Sequence, residues 1–280
     1  MRKNTDSYVL ILRESGVGNN DEQMTRVAQL LQLEYIKCKV RIGCILRDTL
    51  KQLFTLSKLL CVKYQDLYLG SYFSRWQMML RRVVRFNKLY LMDDGVATFL
   101  AQKKMLSSGN VYDLFTYFDV DNLNTQEIQT HSFEYLRRRY QLNGTTGEHV
   151  FVGQILVEMG FLSLGDYKKL VTKVAKQCDS LIYIPHRSED QKTVDEIASI
   201  SNVKILRSDC SIEVYFLENG IYPAHIYSSI SSALFTLSKI FLESRLTSIL
   251  PSDLAEEKVE HFNEIVIALS KVKNIEVKKG

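Results

Sequence analysis

Two adjacent carboxylates, Asp93 and Asp94, precede Gly95 at the end of the apolar run Lys88-Leu89-Tyr90-Leu91-Met92. Such a run reads as a buried strand, and open α/β sheets carry their ligands beyond the carboxyl ends of the strands. Side chains alternate along extended backbone, so one carboxylate faces a cleft while the other is free to brace the loop or bind a cap. Gly95 allows a sharp turn into a helix from Val96, whose positive end would hold a carboxylate ionised. An ionised aspartate there is suited to take a proton from a sugar hydroxyl. A plain helix cap beside a turn is the competing reading.

A second polar insertion, Pro185-His186-Arg187-Ser188-Glu189, follows the apolar run Ser180-Leu181-Ile182-Tyr183-Ile184. A histidine in that position donates to a phosphate oxygen or protonates a leaving group. Ser211-Ile212-Glu213 and Ser228-Ser229-Ile230-Ser231-Ser232 repeat small hydroxyls where a strand gives way to a helix. Hydroxyls and free amides at a helix start make a phosphate site, and Glu213 is placed to accept from ribose hydroxyls, although serines there also serve as ordinary caps. Gly16 and Gly18 lack the third glycine of a dinucleotide fingerprint and read as a tight turn bordering the acceptor side. The five histidines at 131, 149, 186, 225 and 261 are scattered, no His-Glu-x-x-His occurs, and Asp93-Asp94 lacks the intervening residue of a D-x-D motif. Chemistry without a metal is therefore expected. Tyr35, Tyr68, Tyr72 and Trp76 offer rings for stacking on sugars or for a core.

Short apolar strands alternate with helical patterns along the chain, which predicts parallel sheets covered by helices. A strand at Tyr8 to Leu12 leads through the glycine turn to a helix over Asp21 to Leu31, and a helix over Leu46 to Leu60 precedes a strand near Asp66 to Gly70. A helix over Ser74 to Val84 comes before the run that ends in the aspartates. The rhythm restarts at Val150-Phe151-Val152, which opens directly into Gly153-Gln154, and runs to a helix over Ser231 to Leu242. The polar stretch Gln126 to Gly147, ending in Asn143-Gly144-Thr145-Thr146-Gly147, is the predicted linker. The expected domains are thus 1–147 and 148–250, both Rossmann-like. A last helix within 251–280, capped by Ser252 and carrying Leu254, Val259, Phe262, Ile265, Val266 and Leu269 inward, is expected to pack back toward the first domain.

With 280 residues, 46% of them hydrophobic, the chain fills two cores and is not disordered. Its 36 Lys plus Arg against 32 Asp plus Glu give a charge of +4, too mild for a nucleic-acid-binding footprint. Basic clusters such as Arg137-Arg138-Arg139 and the Lys-rich tail suit a solvated face, an anionic membrane surface or a phosphorylated substrate. Five widely spaced cysteines without a C-x-x-C pair point to reduced thiols in the cytoplasm. The first apolar run is too short for a signal segment or a membrane span, so any membrane substrate is expected to be met from the cytoplasmic face.

Taken together, these motifs resemble those of the bacterial sialyltransferases of the lipooligosaccharide and capsular polysialyltransferase type. Asp93-Asp94-Gly95 looks like that family's acidic-acidic-glycine motif. Pro185-His186-Arg187-Ser188-Glu189 looks like its histidine-proline motif, with the order of the two reversed, and Ser228-Ser229 with Ser231-Ser232 looks like its late serine motif. The stretch from Phe151 through Gly153-Gln154 to Ser163 is similar to the opening of the family's donor domain. The resemblance implies a GT-B glycosyltransferase, two Rossmann-like domains around a deep cleft, with CMP-sialic acid as donor and no cofactor. It implies that His186 and the serines contact the CMP phosphate, that Glu213 meets the ribose, and that Asp94 or Asp93 deprotonates the acceptor for an inverting displacement. Gly153, Gln154, Pro185, Arg187, Glu189 and Ser211 join the expected nucleotide contacts. The acceptor would be a lipooligosaccharide, lipopolysaccharide or capsular glycan, met in the cytoplasm or peripherally at the inner membrane. Two alternatives stay open: the same fold with another nonulosonic acid, Kdo, or a UDP- or GDP-sugar as donor, and a non-catalytic sugar-nucleotide-binding subunit.

Overall fold

The computed structural model describes residues 8–41, 43–95, 97–120, 126–252 and 256–280. The first half runs β1 (Leu10–Glu14), α1 (Gly18–Leu30), β2 (Tyr35–Lys39), α2 (Ile45–Lys51), α3 (Leu53–Leu60), β3 (Lys63–Leu69), α4 (Arg75–Val83), β4 (Arg85–Met92), α5 (Ala97–Ser108), β5 (Asp113–Thr116), β6 (Ile128–Thr130) and α6 (Glu134–Arg139). The second half runs β7 (His149–Val152), α7 (Leu164–Ala175), β8 (Leu181–Ile184), α8 (Gln191–Ala198), β9 (Val203–Ile205), α9 (Ile212–Asn219), β10 (His225–Ser228), α10 (Ala233–Ile240), β11 (Arg245–Leu250), α11 (Glu256–Ser270) and β12 (Ile275–Lys279).

Every strand pair among the described residues is parallel. The second half forms one sheet in the order β12-β11-β10-β7-β8-β9, the doubly wound order in which the direction of progression reverses between β7 and β10. Its central strands are apolar on both faces because helices cover both: Val150, Phe151, Leu181, Tyr183 and Ile226 are all buried. α7 shows how the local code works. Ser163 accepts from the Asp166 amide as N-cap, and Tyr167, Leu170, Val171, Val174 and Ala175 fall on one buried stripe at helical spacing. In the first half, β3-β4-β5-β6 form one sheet and β1-β2 another pair. α5 lays Ala101 and Met105 on Leu69, Leu89, Leu91 and Leu114. The two halves meet where Phe99 and Phe118 pack with Phe235, at ring separations of 4.8 Å for Phe118–Phe235 and 6.2 Å for Phe99–Phe235. On the surface, the Arg26 guanidinium of α1 bonds Asp209 and Glu218 of the second half.

Several expectations need correction. The stretch Gln126 to Gly147 is not a bare linker: Ile128–Thr130 pairs with β5, and Glu134–Arg139 is helical. Segment 251–280 supplies a βα crossover and a strand, β12, that adds to the second sheet beside β11, so it is no separate returning helix. Pairing of Leu246 with Ile275 through Leu250 with Lys279 satisfies the backbone of a short lysine-rich edge strand whose composition hides it. The last turn of α11 still borders a 270 Å³ groove shared with Phe99 and Lys103 of the first half. The Ser252 hydroxyl donates to the Gly280 carbonyl rather than capping that helix, and Leu254 lies outside the described residues, as does the side chain of Val259. Residues 46–60 divide into two helices, and β2, β5 and β11 were not foreseen. No helix among the described residues is long and apolar enough to cross a membrane.

Candidate active site between the two halves

The aspartate pair divides as alternation requires. The Asp93 side chain is only 6% exposed. Its Oδ1 accepts from the Thr116 hydroxyl at 2.6 Å and the Thr98 hydroxyl at 3.4 Å, and its Oδ2 accepts from the Tyr117 amide at 2.8 Å. Burial pushes its pKa up, while those three hydrogen bonds oppose the rise. Asp94 is exposed, and its backbone amide donates to the Thr98 hydroxyl at 3.0 Å. Asp93 therefore ties the end of β4 to β5 and to the first turn of α5, and Asp94 is the carboxylate presented outward. Gly95 turns the chain with φ +54°, and a Cβ on it would stand 3.7 Å from the Ser232 hydroxyl of the second half. The aspartate loop and the serine loop thus face each other across the domain boundary. Val96 lies outside the described residues.

A neighbour that sequence reasoning passed over is His131, whose Nε2 lies 4.0 Å from Asp93 Oδ2. Its ring stacks on Phe115 at 4.6 Å, and burial lowers its pKa. Tyr117 is also at this junction. Burial first, then the charges of Asp93 and of Glu213 from the second half, push its pKa up.

On the second half, the loops after β7, β8 and β10 converge at the strand reversal. Gln154 Nε2 donates to the Ser231 hydroxyl at 3.0 Å, joining the β7 and β10 exits, and its amide donates to the Tyr167 hydroxyl at 3.0 Å. Ile230, a β-branched residue, is held at φ +53°, a conformation that costs about 1–3 kcal/mol and that tertiary contacts must enforce. Ser232 is exposed at the mouth of this turn. His186 is half-buried; its Nδ1 accepts from the Ser188 amide at 3.2 Å, which leaves Nε2 to carry the proton of the neutral ring. Burial, helped by Arg187, lowers the His186 pKa. Arg187 is exposed beside it, and Pro185 is partly buried at the strand exit.

Three expected nucleotide contacts have other occupations. Ser228 and Ser229 are fully buried, and their hydroxyls donate to the Val152 carbonyl at 2.7 Å and the Ile249 carbonyl at 2.8 Å. They tie β10 to its two neighbours and do not reach the cleft. Glu189 points inward beneath Gly153, where it accepts from the Tyr183 hydroxyl and the His186 amide. Tyr183 in turn shares a 3.0 Å hydrogen bond with Tyr167. Burial is the leading cause that pushes the Glu189 carboxyl up to about 7. Gly153 leaves room for this packing, since a Cβ there would collide with the Glu189 carboxylate and come within 2.6 Å of the Tyr183 hydroxyl, so that one of them must shift. This chain of buried hydroxyls and one carboxyl links the β7 exit, the β8 exit and α7, and only its tertiary setting shows it. Ser211 stands at the N-cap of α9 without a side-chain cap bond, and Glu213 in the first turn accepts from the Thr236 hydroxyl. No group of three or more His, Cys, Asp and Glu side chains suited to a metal ion occurs among the described residues.

Two parallel-sheet α/β halves, with a doubly wound second sheet whose strand reversal opens toward an acidic loop of the first, place the aspartate and serine loops where open α/β sheets carry their ligands. Residues 38–249 match the family model described as Alpha-2,8-polysialyltransferase (POLYST), and the chain belongs to that family. The match spans the aspartate loop, the β8 exit and the serine loop. Among solved structures, the chain is similar to Acinetobacter baumannii MurG at 9% identity and TM-score 0.48, covering 98% of this chain and 86% of that one. It is similar also to the E. coli heptosyltransferase WaaC with ADP at 8% identity and TM-score 0.48, covering 97% and 92%. No curated protein matches the chain.

Proposed function

We propose that this glycosyltransferase moves sialic acid from CMP-sialic acid to a hydroxyl of a cell-surface glycan, with inversion at the anomeric carbon and without a metal. The observation that carries the reading is the approach of the exposed Asp94-Gly95 turn to Ser232 at the strand reversal, which sets an acid–base group of one half against a phosphate-type site of the other. In this mechanism the nucleotide lies over the exits of β7, β8 and β10. Gln154 and the exposed Ser232 flank its phosphate, the buried Ser231 holds the Gln154 side chain, and the neutral His186 donates from Nε2. Asp94 takes the proton of the attacking hydroxyl as the new C–O bond forms and the anomeric C–O bond to the phosphate breaks. The departing phosphate leaves with its electron pair, and hydrogen-bond donors stabilise its charge. Asp93 positions this base through Thr98, whose hydroxyl touches both residues. Glu213 meets the ribose from α9.

The test is incubation of the full chain with CMP-sialic acid and labelled galactosides. Transfer that Asp94→Ala abolishes supports the reading; transfer from a UDP-sugar and none from CMP-sialic acid refutes it.

A further inference from the structure

One hydrogen-bond chain joins the strand-exit loops of the second half from beneath. The Gln154 amide donates to the Tyr167 hydroxyl at 3.0 Å, the Tyr167 and Tyr183 hydroxyls lie 3.0 Å apart, and the Tyr183 hydroxyl donates to Glu189 Oε1. A backbone amide can only donate, so the chain runs one way. Each hydroxyl points its proton at the next oxygen, and the carboxyl ends the chain as an acceptor. Glu189 Oε2 accepts in turn from the His186 amide. At the other end, the Gln154 side chain donates to the Ser231 hydroxyl at 3.0 Å. The exits of β7, β8 and β10 are thus all tied to one buried carboxyl.

That carboxyl is pulled in two directions. Burial beneath Gly153, the largest effect, favours the neutral acid, and so does the charge of Glu158 from the segment before α7. The hydrogen bonds from Tyr183 and the His186 amide favour the carboxylate, as does Arg207 from the segment after β9. The balance leaves Glu189 at about 7. Glu158 is fixed in place, since its Oε1 accepts from the Asp190 amide and the Thr193 hydroxyl, each at 2.9 Å. Burial pushes the pKa values of Tyr167 and Tyr183 up, and burial with the Arg187 charge pushes that of His186 down. Glu189 therefore changes charge near neutral pH while the two tyrosines and the histidine around it stay neutral.

We propose that Glu189 is a positioning residue of the nucleotide site whose proton is linked to binding: its neutral form lets a phosphate lie over Gly153 and Gln154, and its ionised form repels that phosphate from below. The inference rests on the glycosyltransferase reading above and adds a control to the same site. An arriving phosphate brings negative charge over the carboxyl and strengthens its hold on a proton, and by reciprocity the proton strengthens the hold on phosphate. The carboxyl pKa is then lower in the free protein than in the complex, so affinity is full below the free value and falls as pH climbs through it. The proton is drawn from water on binding and returns to it on release.

The test measures CMP binding to the full chain by titration calorimetry at pH 7 and pH 8.5, a range in which the phosphate monoester stays largely dianionic. The affinity of the unmodified chain is expected to weaken about fivefold across this range. Its binding enthalpy is expected to vary with the ionisation enthalpy of the buffer in the sense of proton uptake. Glu189→Gln keeps the shape of the neutral acid, so it is expected to bind equally at both pH values and without buffer dependence. Tyr183→Phe removes a hydrogen bond that favours the carboxylate and is expected to move the loss of affinity to higher pH. A pH dependence that Glu189→Gln retains overturns the proposal, as does one that only His186→Gln removes. Binding of UDP in place of CMP, with the same pH dependence, would leave this proposal standing and refute the CMP donor. Binding of CMP at one affinity throughout would do the reverse.

Discussion

Replacing Glu189 with Gln should erase a specific pH dependence of stability. The native carboxyl sits beneath Gly153, accepts from the Tyr183 hydroxyl and the His186 amide, and is raised from 4.5 to about 7 mainly by burial. A group whose native pKa is raised holds its proton more tightly folded than unfolded, so stability falls as pH rises from about 4.5 through about 7 and then levels off. At 1.36 kcal/mol per unit, that rise corresponds to ~3 kcal/mol lost across the window. Gln mimics the protonated acid: its carbonyl accepts from the His186 amide, and its amide donates to a rotated Tyr183 hydroxyl. Urea unfolding of the two proteins at pH 4.5 and pH 8 is the assay. Near-equal stability at the acid end, with Glu189→Gln ahead by ~3 kcal/mol at the alkaline end, is expected. Asp93 and His131 titrate in both proteins and cancel in the difference. A stability difference that stays constant with pH would refute the account of Glu189 as a buried neutral acid.

Other substitutions separate bracing from chemistry. Asp93→Ala removes the acceptor of three hydrogen bonds inside the fold and should destabilise by about 1–3 kcal/mol, whereas Asp94→Ala should leave the melting temperature unchanged and abolish transfer. Equal melting temperatures for both variants would mean Asp93 is no brace. Gly153→Ala drives a methyl into Glu189 and Tyr183, so a loss of about 1–3 kcal/mol with weakened nucleotide binding is expected in chemical unfolding and calorimetry. CMP should raise the melting temperature and UDP should not; the converse would reassign the donor. Arg26→Ala breaks a solvent-exposed contact between the halves and should leave the melting temperature nearly unchanged, while a large drop would show that this contact holds the halves together.

Much of the second half was legible because its information is local. Val150-Phe151-Val152 and Ser180 to Ile184 are continuous apolar runs closed by polar loops, and Ser163 announces α7 three residues before its Asp166 partner. The alternation rule also stated that Asp93 and Asp94 would part company. Which of them turns inward depended on Thr98 and Thr116, contributed by two other elements, and no spacing within Asp93-Asp94-Gly95 encodes that choice. The serine cluster shows the same limit. Ser228 ends β10 and Ser229 follows it, their hydroxyls meeting backbone carbonyls distant in the chain, while past the Ile230 turn Ser231 is buried against Gln154 and Ser232 is exposed.

Sequence alone determined the alternation of strands with helices, the strand-end positions of the polar loops and the acidic, histidine and serine motifs, because periodicity and turn chemistry act over a few residues. Tertiary structure decided the rest. Long-range pairing set β7 beside β10 and added β12 to the second sheet, and burial turned Glu189 and Asp93 from candidate contacts into supports for the residues around them.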